Sequence, residues 1–284
     1  MNYRHIFHAG NFADVVKHAA LWLILDHLKS KATPFFALDS HAGVGRYDLR
    51  AADAQKTGEY RHGFLRLLEQ RIVPPELAGY IAAVAACNGV RRLTADNLRW
   101  YPGSPRILRA GLRAGDRLAA VELHPADATA LAREFHGDRL VTAHRMDGYQ
   151  ALKALLPPAE RRGLALVDPP FEAPGEFTRL VGGLGAAHRR WATGIYALWY
   201  PIKARRPVDE FFDGLCHSGI SRIAVAELLI RPAADPERLN GCGLVIVNPP
   251  WRLIEQLQAL LAFLAPVLAQ EGAGQWRAEW LVPE

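Results

Sequence analysis

The sequence predicts an α/β protein built on a mostly parallel sheet with crossover helices. Short apolar runs recur along the 284 residues, and each run ends in glycine, proline or an acidic residue. A helical pattern follows each run, which is typical of strands joined by crossover helices. These two observations give seven candidate strands, at residues 35–39, 118–122, 140–143, 164–168, 195–199, 223–229 and 244–248.

An insertion interrupts this alternation between the first two candidate strands. About 80 residues separate them, whereas a crossover needs only about a dozen. Two amphipathic helix patterns, after Thr57 and after Pro74-Pro75, predict a helical subdomain at 46–100 within a main domain of 1–45 and 101–284. Gly103-Ser104-Pro105 then predicts a helix with Ser104 as its N-cap. We expect loops at the breaks 173–175 and 205–207.

The composition restricts the class of protein. With 50% hydrophobic and 22% charged residues, it excludes a disordered or fibrous chain. A formal net charge of +5 suits an anionic partner such as nucleic acid without requiring one. The three widely spaced cysteines form neither a disulfide framework nor a paired-cysteine metal site, and they favour a reducing compartment. The longest early apolar run, 19–25, is too short to span a bilayer, so we expect a cytoplasmic protein.

Acidic residues stand at the ends of the first three candidate strands. Asp39 precedes a glycine turn at 43–45, which is typical of nucleotide cofactor binding, although a tight turn without a ligand gives the same pattern. Glu122 stands where such sheets bind ribose hydroxyls, and a solvated acid is the alternative. Asp147-Gly148 offers an acceptor for an adenine amino group or is only a turn. Asp48 replaces the third glycine of a dinucleotide fingerprint, which counts against a hydride-transfer enzyme.

The most specific motif is Asp168-Pro169-Pro170-Phe171, at the end of the fourth candidate strand. An exocyclic amino nitrogen is a poor nucleophile, so an enzyme that alkylates it should supply acceptors for both N–H groups. Asp168 and the Pro169 carbonyl can be these acceptors, because two prolines fix the backbone and offer no competing N–H. Phe171 can stack on an extruded base. The alternative is a stiff strand terminator with Phe171 in the core.

A second motif, Asn248-Pro249-Pro250-Trp251, satisfies the same chemistry. Ligands of open α/β sheets bind at the carboxyl ends of the parallel strands. A seventh strand that closes such a sheet commonly runs antiparallel, so its end lies at the other edge. We therefore predict a catalytic role for Asp168 and a structural one for Asn248.

The start of the chain is rich in histidine and aromatic residues. Metal binding by His5, His8 and His18 lacks acidic or thiolate partners in the sequence, so we expect no metal site. A helical pattern begins at Asp14 and runs through Leu28. The polar residues before it remain candidates for the wall of a pocket.

The whole chain resembles the RlmJ-type 23S rRNA adenine-N6 methyltransferases. The motifs that carry the resemblance are YRHIFHAGNFADVVKH at the start, LDSHAGVGRY, GEY at 58–60, YPGSP at 101–105, ELHP at 122–125, DG at 147–148, DPPF, the ATGxYALWYP stretch at 192–201 and VNPPW. The resemblance implies S-adenosylmethionine as methyl donor. It also implies a Rossmann-like class I methyltransferase sheet with a small inserted helical subdomain.

The resemblance also implies the roles of individual residues. The family's cofactor contacts fall on His18, His41, Ser104, Glu122, Asp147, Gly148 and Asp168. Its catalytic acid falls on Asp168, beside Pro169 and Phe171, and Phe171 stands where tyrosine is also used. Tyr3 matches a position associated with the RNA substrate, and Lys17 is a weaker candidate for substrate binding.

Two other functions stay open at this point. A DNA adenine-N6 methyltransferase would use the same chemistry, although the whole-chain resemblance favours protein-free 23S rRNA. A silent RNA-binding module would keep the arginine pairs at 91–92, 161–162, 189–190 and 205–206, but it would not need the series of acids at the strand ends. We expect a monomer without a metal and without a membrane partner.

Overall fold

The computed structural model describes residues 4–284, so the predicted RNA contact Tyr3 lies outside the described residues. The helices in that range are α1 (Phe12–Lys29), α2 (Ala52–Thr57), α3 (Phe64–Leu68), α4 (Ala78–Cys87), α5 (Ser104–Ala110), α6 (Pro125–Glu134), α7 (Gly148–Leu155), α8 (Glu176–Arg190), α9 (Arg205–Cys216) and α10 (Leu253–Leu268). The strands are β1 (Phe36–Asp39), β2 (Arg46–Asp48), β3 (Trp100–Pro102), β4 (Arg117–Glu122), β5 (Val141–Arg145), β6 (Gly163–Val167), β7 (Ile195–Ile202), β8 (Ile223–Leu229), β9 (Gly241–Val247) and β10 (Gln275–Val282).

The central sheet has eight strands in the order β10-β8-β9-β7-β6-β1-β4-β5. The pairs from β7 to β5 are parallel, and β9 runs antiparallel to both of its neighbours, β7 and β8. The predicted α/β class with a mostly parallel sheet is confirmed. The predicted antiparallel direction of the strand before Asn248, β9, is also confirmed. Asn248 therefore lies at the edge of the sheet opposite the end of β6.

Helices cover both faces of the sheet. Along β6, Leu164 and Leu166 point into a cluster with α1 and α10, whereas Ala165 and Val167 point into a cluster with α7, α8 and α9. This alternation is the period of two that strands impose. The strand is buried on both sides, as crossover helices on each face require.

Three strands were not predicted. The seven predicted strands correspond to β1 and β4 to β9, but β10 is an additional edge strand that pairs with β8. Half of its eight side chains are exposed, and only Ala278 is buried. An edge strand of this kind lacks the continuous apolar run on which the prediction relied. The short hairpin β2–β3, which brackets the insertion, lacks it as well.

The inserted residues differ in part from their prediction. The helix after Pro74-Pro75 is confirmed as a 3-10 turn, Pro75–Leu77, followed by α4. The helix after Thr57 is instead a 3-10 turn, Glu59–His62, and the short α3, with a break at Gly63. A Cβ on Gly63 would lie 2.2 Å from the Gly10 carbonyl oxygen, so close packing against the N-terminal segment explains the break. The division into an inserted subdomain at 46–100 and a main domain stays a prediction.

Two local predictions are wrong. Ser104 is the first residue of α5, whose N-cap is Gly103, and the Ser104 hydroxyl bonds to Asp39 rather than to the helix. The loop expected at 205–207 is the first turn of α9, a position where proline is tolerated because its missing N–H is not needed. The turn at 173–175 is confirmed. None of the helices in residues 4–284 is both long and apolar enough to cross a membrane.

Candidate active site

A cavity of about 790 Å³ opens at the carboxyl edge of the parallel strands, where open α/β sheets bind their ligands. The structure brings most of the predicted site residues to its wall. Those residues are Lys17, His41, Ser104, Glu122, Asp147, Gly148, Asp168, Pro169 and Phe171. Residues from distant parts of the sequence therefore share one cavity, and its size is within the range of small-molecule sites.

The turn after β1 is tied to the end of β4. Gly43 has a φ of 60° and Gly45 a φ of 87°, in the left-handed region that favours glycine. The Gly43 N–H donates to Glu122 Oε2 at 2.9 Å, and the His124 N–H donates to Oε1 at 2.8 Å. Burial raises the pKa of Glu122 above its usual value. The carboxylate is therefore held in place by backbone at the position predicted to bind ribose hydroxyls.

Asp147 and Gly148 begin α7. Asp147 is the N-cap of this helix and accepts from the Gln150 N–H at 3.0 Å, so the pair begins a helix rather than forming a simple turn. Its side chain also reaches the cavity wall. At Gly148 a Cβ would lie 2.4 Å from the Ser40 carbonyl oxygen and 2.6 Å from His41 Cε1. Only glycine fits at this point without a shift of the turn after β1.

Asp39 is the last residue of β1, two positions before His41 on the cavity wall, and was not among the predicted site residues. Its carboxyl is fully buried, and burial raises its pKa to about 7. The Ser104 hydroxyl and the His41 N–H bond to it, yet Oδ2 has no hydrogen-bond partner among residues 4–284. A buried carboxyl oxygen without a partner is costly. The sequence signal was its place before the glycine turn, which the prediction noted without assigning a role.

A buried cation holds Asp168. Lys17 Nζ lies 2.6 Å from Asp168 Oδ2 and 3.0 Å from Asp14 Oδ1. Burial alone would lower the pKa of Lys17, but the two carboxylates raise it well above its usual value. Asp14 also contacts His5 Nε2 at 3.0 Å, and its own pKa is held well below its usual range despite burial. Lys17 therefore faces the candidate catalytic acid, on a contact that spans 151 positions.

The two predicted histidine contacts occupy different places. His41 lines the cavity, and burial lowers its pKa to about 4. The Ser40 hydroxyl donates to the Leu166 carbonyl, so His41 Nδ1, 2.8 Å from Ser40 Oγ, is the donor in their contact. His18 does not reach the cavity wall: it is fully buried, lies 3.0 Å from the Tyr101 hydroxyl and has its pKa lowered to about 3 by burial. Both imidazoles are neutral at pH 7.

Phe171 lies on the side of Asp168 that faces β7. Its ring centroid is 5.0 Å from that of Phe177 and 5.9 Å from that of Trp199. The ring is half-buried and packs on the cluster that includes α8 and α9. Phe171 therefore packs on the protein and also lines the cavity, and its role in stacking on an extruded base stays a prediction.

The inserted residues hold the N-terminal segment against the cavity. Glu59 accepts from His8 Nδ1 and from Asn11 Nδ2, each at 3.0 Å. Arg4 pairs with Asp53 at 2.9 Å. Within residues 4–284 no group of three or more His, Cys, Asp or Glu side chains is arranged to hold a metal ion. The N-terminal histidines instead make hydrogen bonds to acids and to Tyr101.

Comparison with known proteins connects this geometry to a family. A family model described as RsmJ, ribosomal RNA large subunit methyltransferase D, RlmJ, matches residues 32–282. The chain belongs to this family. Two curated relatives, from Haemophilus influenzae and Escherichia coli K12, are named ribosomal RNA large subunit methyltransferase J. Each is 43% identical to this RlmJ-family chain, and the alignments cover 100% of both chains. The family resemblance found in the sequence is confirmed.

Solved structures agree with this membership. A protein from Legionella pneumophila superposes on the RlmJ-family chain with a TM-score of 0.86 and 33% identity, covering 96% of this chain and 98% of the other. A probable spermidine synthase from Corynebacterium glutamicum gives a TM-score of 0.50 at 15% identity, with 95% and 75% covered. The second likeness is one of fold alone.

Proposed function

We propose that this RlmJ-family chain transfers a methyl group from S-adenosylmethionine to the N6 atom of an adenosine in 23S rRNA. One observation carries the proposal. Asp168, followed by two prolines, lies in the cavity between the turn after β1 and the aromatic side chain of Phe171, with Lys17 at 2.6 Å. This arrangement offers a fixed acceptor to an amino group beside a place for a nucleotide-like cofactor.

The residues on the β1, β4 and β5 side fit the methyl donor. Asp39 supplies a buried carboxyl with an unpartnered oxygen, which suits the ammonium group of S-adenosylmethionine. Glu122 suits the ribose hydroxyls, and Asp147 the adenine amino group. Gly43 and Gly148 let the backbone pack closely against Tyr47 and against the turn after β1, which keeps these parts of the cavity wall in place. When bound, the donor supplies an electrophilic methyl group on its sulfonium.

Asp168, Pro169 and Phe171 bind and orient the adenine that accepts the methyl group. Asp168 and the Pro169 carbonyl accept hydrogen bonds from the two N–H groups of the adenine, which orients the nitrogen lone pair. Positive charge develops on this nitrogen during transfer, and the carboxylate stabilises it. Lys17 holds Asp168 in place through the contact of 2.6 Å, so Asp168 acts as a fixed hydrogen-bond acceptor rather than as a strong base. The displaced proton leaves to water after transfer.

We propose protein-free rRNA as the form of the substrate. The target base must leave its stack to reach Asp168, and this costs a few kcal/mol in a duplex but less in a loop or irregular helix. We further propose that the enzyme is a cytoplasmic monomer that uses no metal, because a sulfonium methyl group is electrophilic without Lewis-acid activation.

The test is a competition between two nucleic acids for a labelled methyl donor. A 23S rRNA hairpin and a DNA duplex of matched length are incubated together with the enzyme. We expect N6-methyladenosine in the RNA. Preferential labelling of the DNA would replace rRNA by DNA as substrate and leave the adenine-N6 chemistry intact, whereas no transfer to either, together with no thermal shift by S-adenosylmethionine, would favour a silent RNA-binding module.

A further inference from the structure

The cavity continues beyond Asp168, on the side away from the proposed donor site. The strands lie in the order β7-β6-β1-β4-β5, and neighbouring strands are about 4.8 Å apart. The residues proposed to hold the donor follow β1, β4 and β5. The remaining part of the cavity lies at the end of β7 and is lined by Trp199, Pro201, Lys203, Glu237 and Leu239. Asp168, at the end of β6, separates the two parts.

Lys203 is the cation of this β7 part. It is exposed, and its ammonium group has neither an ion-pair partner nor a hydrogen bond among residues 4–284. Lys17, in contrast, is buried and bonded to two carboxylates. Lys203 therefore has its charge free for a ligand, whereas the charge of Lys17 is already neutralised.

The backbone at Lys203 is held in place by hydrogen bonds with Asn240. Asn240 is fully buried, and its Nδ2 donates to the Lys203 carbonyl at 2.7 Å. The Asn240 N–H donates to the Ile202 carbonyl at 2.9 Å. These bonds attach the loop between β8 and β9 to the end of β7. Lys203 and Leu239, which both line the cavity, are therefore held beside each other.

An apolar surface beside an unpaired cation is suited to binding a nucleotide. Trp199, Pro201 and Leu239 offer apolar surface to a base or sugar, and an ammonium group binds a phosphate as a point charge. The target adenosine is part of a chain, so a nucleotide with its phosphate necessarily lies next to it. We propose that the β7 part of the cavity binds the nucleotide adjoining the target adenosine, with Lys203 on its phosphate. This inference rests on the proposed function and names a substrate contact within it.

Replacing Glu237 gives an independent test of the same subsite. Glu237 lines the β7 part together with Lys203 and carries the opposite charge. A phosphate bound there is repelled by this carboxylate, so the substitution Glu237→Gln should lower the KM for RNA. The neutral amide has nearly the same shape, and Glu237 is exposed, so the fold is not expected to change.

The experiment measures steady-state methylation of a 23S rRNA hairpin by Lys203→Ala and by a matched control, Lys31→Ala. Lys31 is also exposed but precedes β1, at the opposite edge of the sheet. For Lys203→Ala we expect the KM for the RNA to rise about tenfold, which corresponds to the lower end of the free energy of a hydrogen bond to a charged group. We expect kcat to stay within about twofold of the wild-type value. The slope of log KM against log salt should become shallower by about 0.7, the share of one phosphate on a single strand.

A modified substrate locates the contact. The hairpin is made with a neutral methylphosphonate linkage on one side or the other of the target adenosine. For one of the two linkages, KM of the wild-type enzyme should rise to that of Lys203→Ala, while Lys203→Ala should be insensitive to it. If both linkages affect the two enzymes equally, or if Lys203→Ala and Lys31→Ala behave alike, the subsite is refuted while wild-type methylation of the unmodified hairpin still stands. If the wild-type enzyme methylates no RNA, the proposed function and the subsite both fail.

Discussion

Replacing Asn248 should affect stability and leave the chemistry intact. Its Nδ2 donates to the carbonyl oxygens of Ala192 and Gly194, each at 2.8 Å, and its φ is 54°. Each bond contributes about 0.5–1.5 kcal/mol, and alanine in the left-handed region costs about 1 kcal/mol more than a residue that tolerates it. We expect Asn248→Ala to lower the free energy of unfolding by about 2–4 kcal/mol, measured by urea denaturation. Methyl transfer by the folded variant should stay within about twofold of wild type, because the residue lies at the edge opposite the cavity.

A glycine variant separates the two contributions. Asn248→Gly loses the hydrogen bonds but keeps the left-handed conformation, so its free energy of unfolding should fall by about 1 kcal/mol less than that of Asn248→Ala. A folded Asn248→Ala protein that binds S-adenosylmethionine but has no turnover would refute the reasoning. It would transfer the catalytic role from Asp168 to the second proline motif.

Three further predictions concern residues on the wall of the cavity or behind it. Asp39→Asn should weaken S-adenosylmethionine binding at least tenfold, measured by calorimetry. Because the pKa of Asp39 is raised from 3.8 to about 7, the wild-type protein without ligand should lose stability relative to this variant as the pH rises from about 4 to 7. Equal thermal unfolding profiles of the two proteins over this pH range would contradict the assignment. Gly148→Ala should abolish detectable donor binding, because its Cβ would lie 2.4 Å from the Ser40 carbonyl oxygen, and unchanged affinity would show that the turn adjusts freely. Glu59→Gln should raise the KM for RNA about tenfold, because the N-terminal segment loses a charged hydrogen-bond acceptor, while kcat and donor affinity stay nearly unchanged. A drop in melting temperature without a change in KM would mean that Glu59 is only structural.

The strand ends show what the sequence can predict. Glu122, Asp147 and Asp168 were predicted because each follows an apolar run that the chain itself displays. Parallel strands bring such ends to one edge of a sheet, so their proximity follows from the fold class. The direction of β9 followed in the same way and separated Asp168 from Asn248.

The contacts of Lys17 and His18 show what the sequence could not predict. They are neighbours on α1, yet Lys17 reaches Asp168, 151 positions away, while His18 turns to Tyr101. Which side of a fully buried helix faces a cavity depends on packing from the sheet and the insertion together, because an apolar pattern all round the helix marks no preferred face. Only the structure distinguishes a residue on the cavity wall from one behind it.

The break at Gly63 has the same origin. The helical pattern around Phe64 is genuine, but the chain must approach Gly10 and Asn11 more closely than any side chain allows. Such a contact between distant segments leaves no periodic signal. The sequence therefore predicted the helical character of this segment but not its interruption.

Mass mapping of 23S rRNA after incubation with S-adenosylmethionine and either wild-type enzyme or Asp168→Asn tests the central claim most directly. The asparagine keeps the shape of Asp168 but loses the charge that faces Lys17 and the developing positive charge on the base. We predict N6-methyladenosine at one adenosine with wild type and none with the variant, while the variant still binds the donor within about threefold, since its proposed partner is the substrate amino group. Methylation by Asp168→Asn near the wild-type level, or methyl groups on an atom other than adenine N6, would contradict the account.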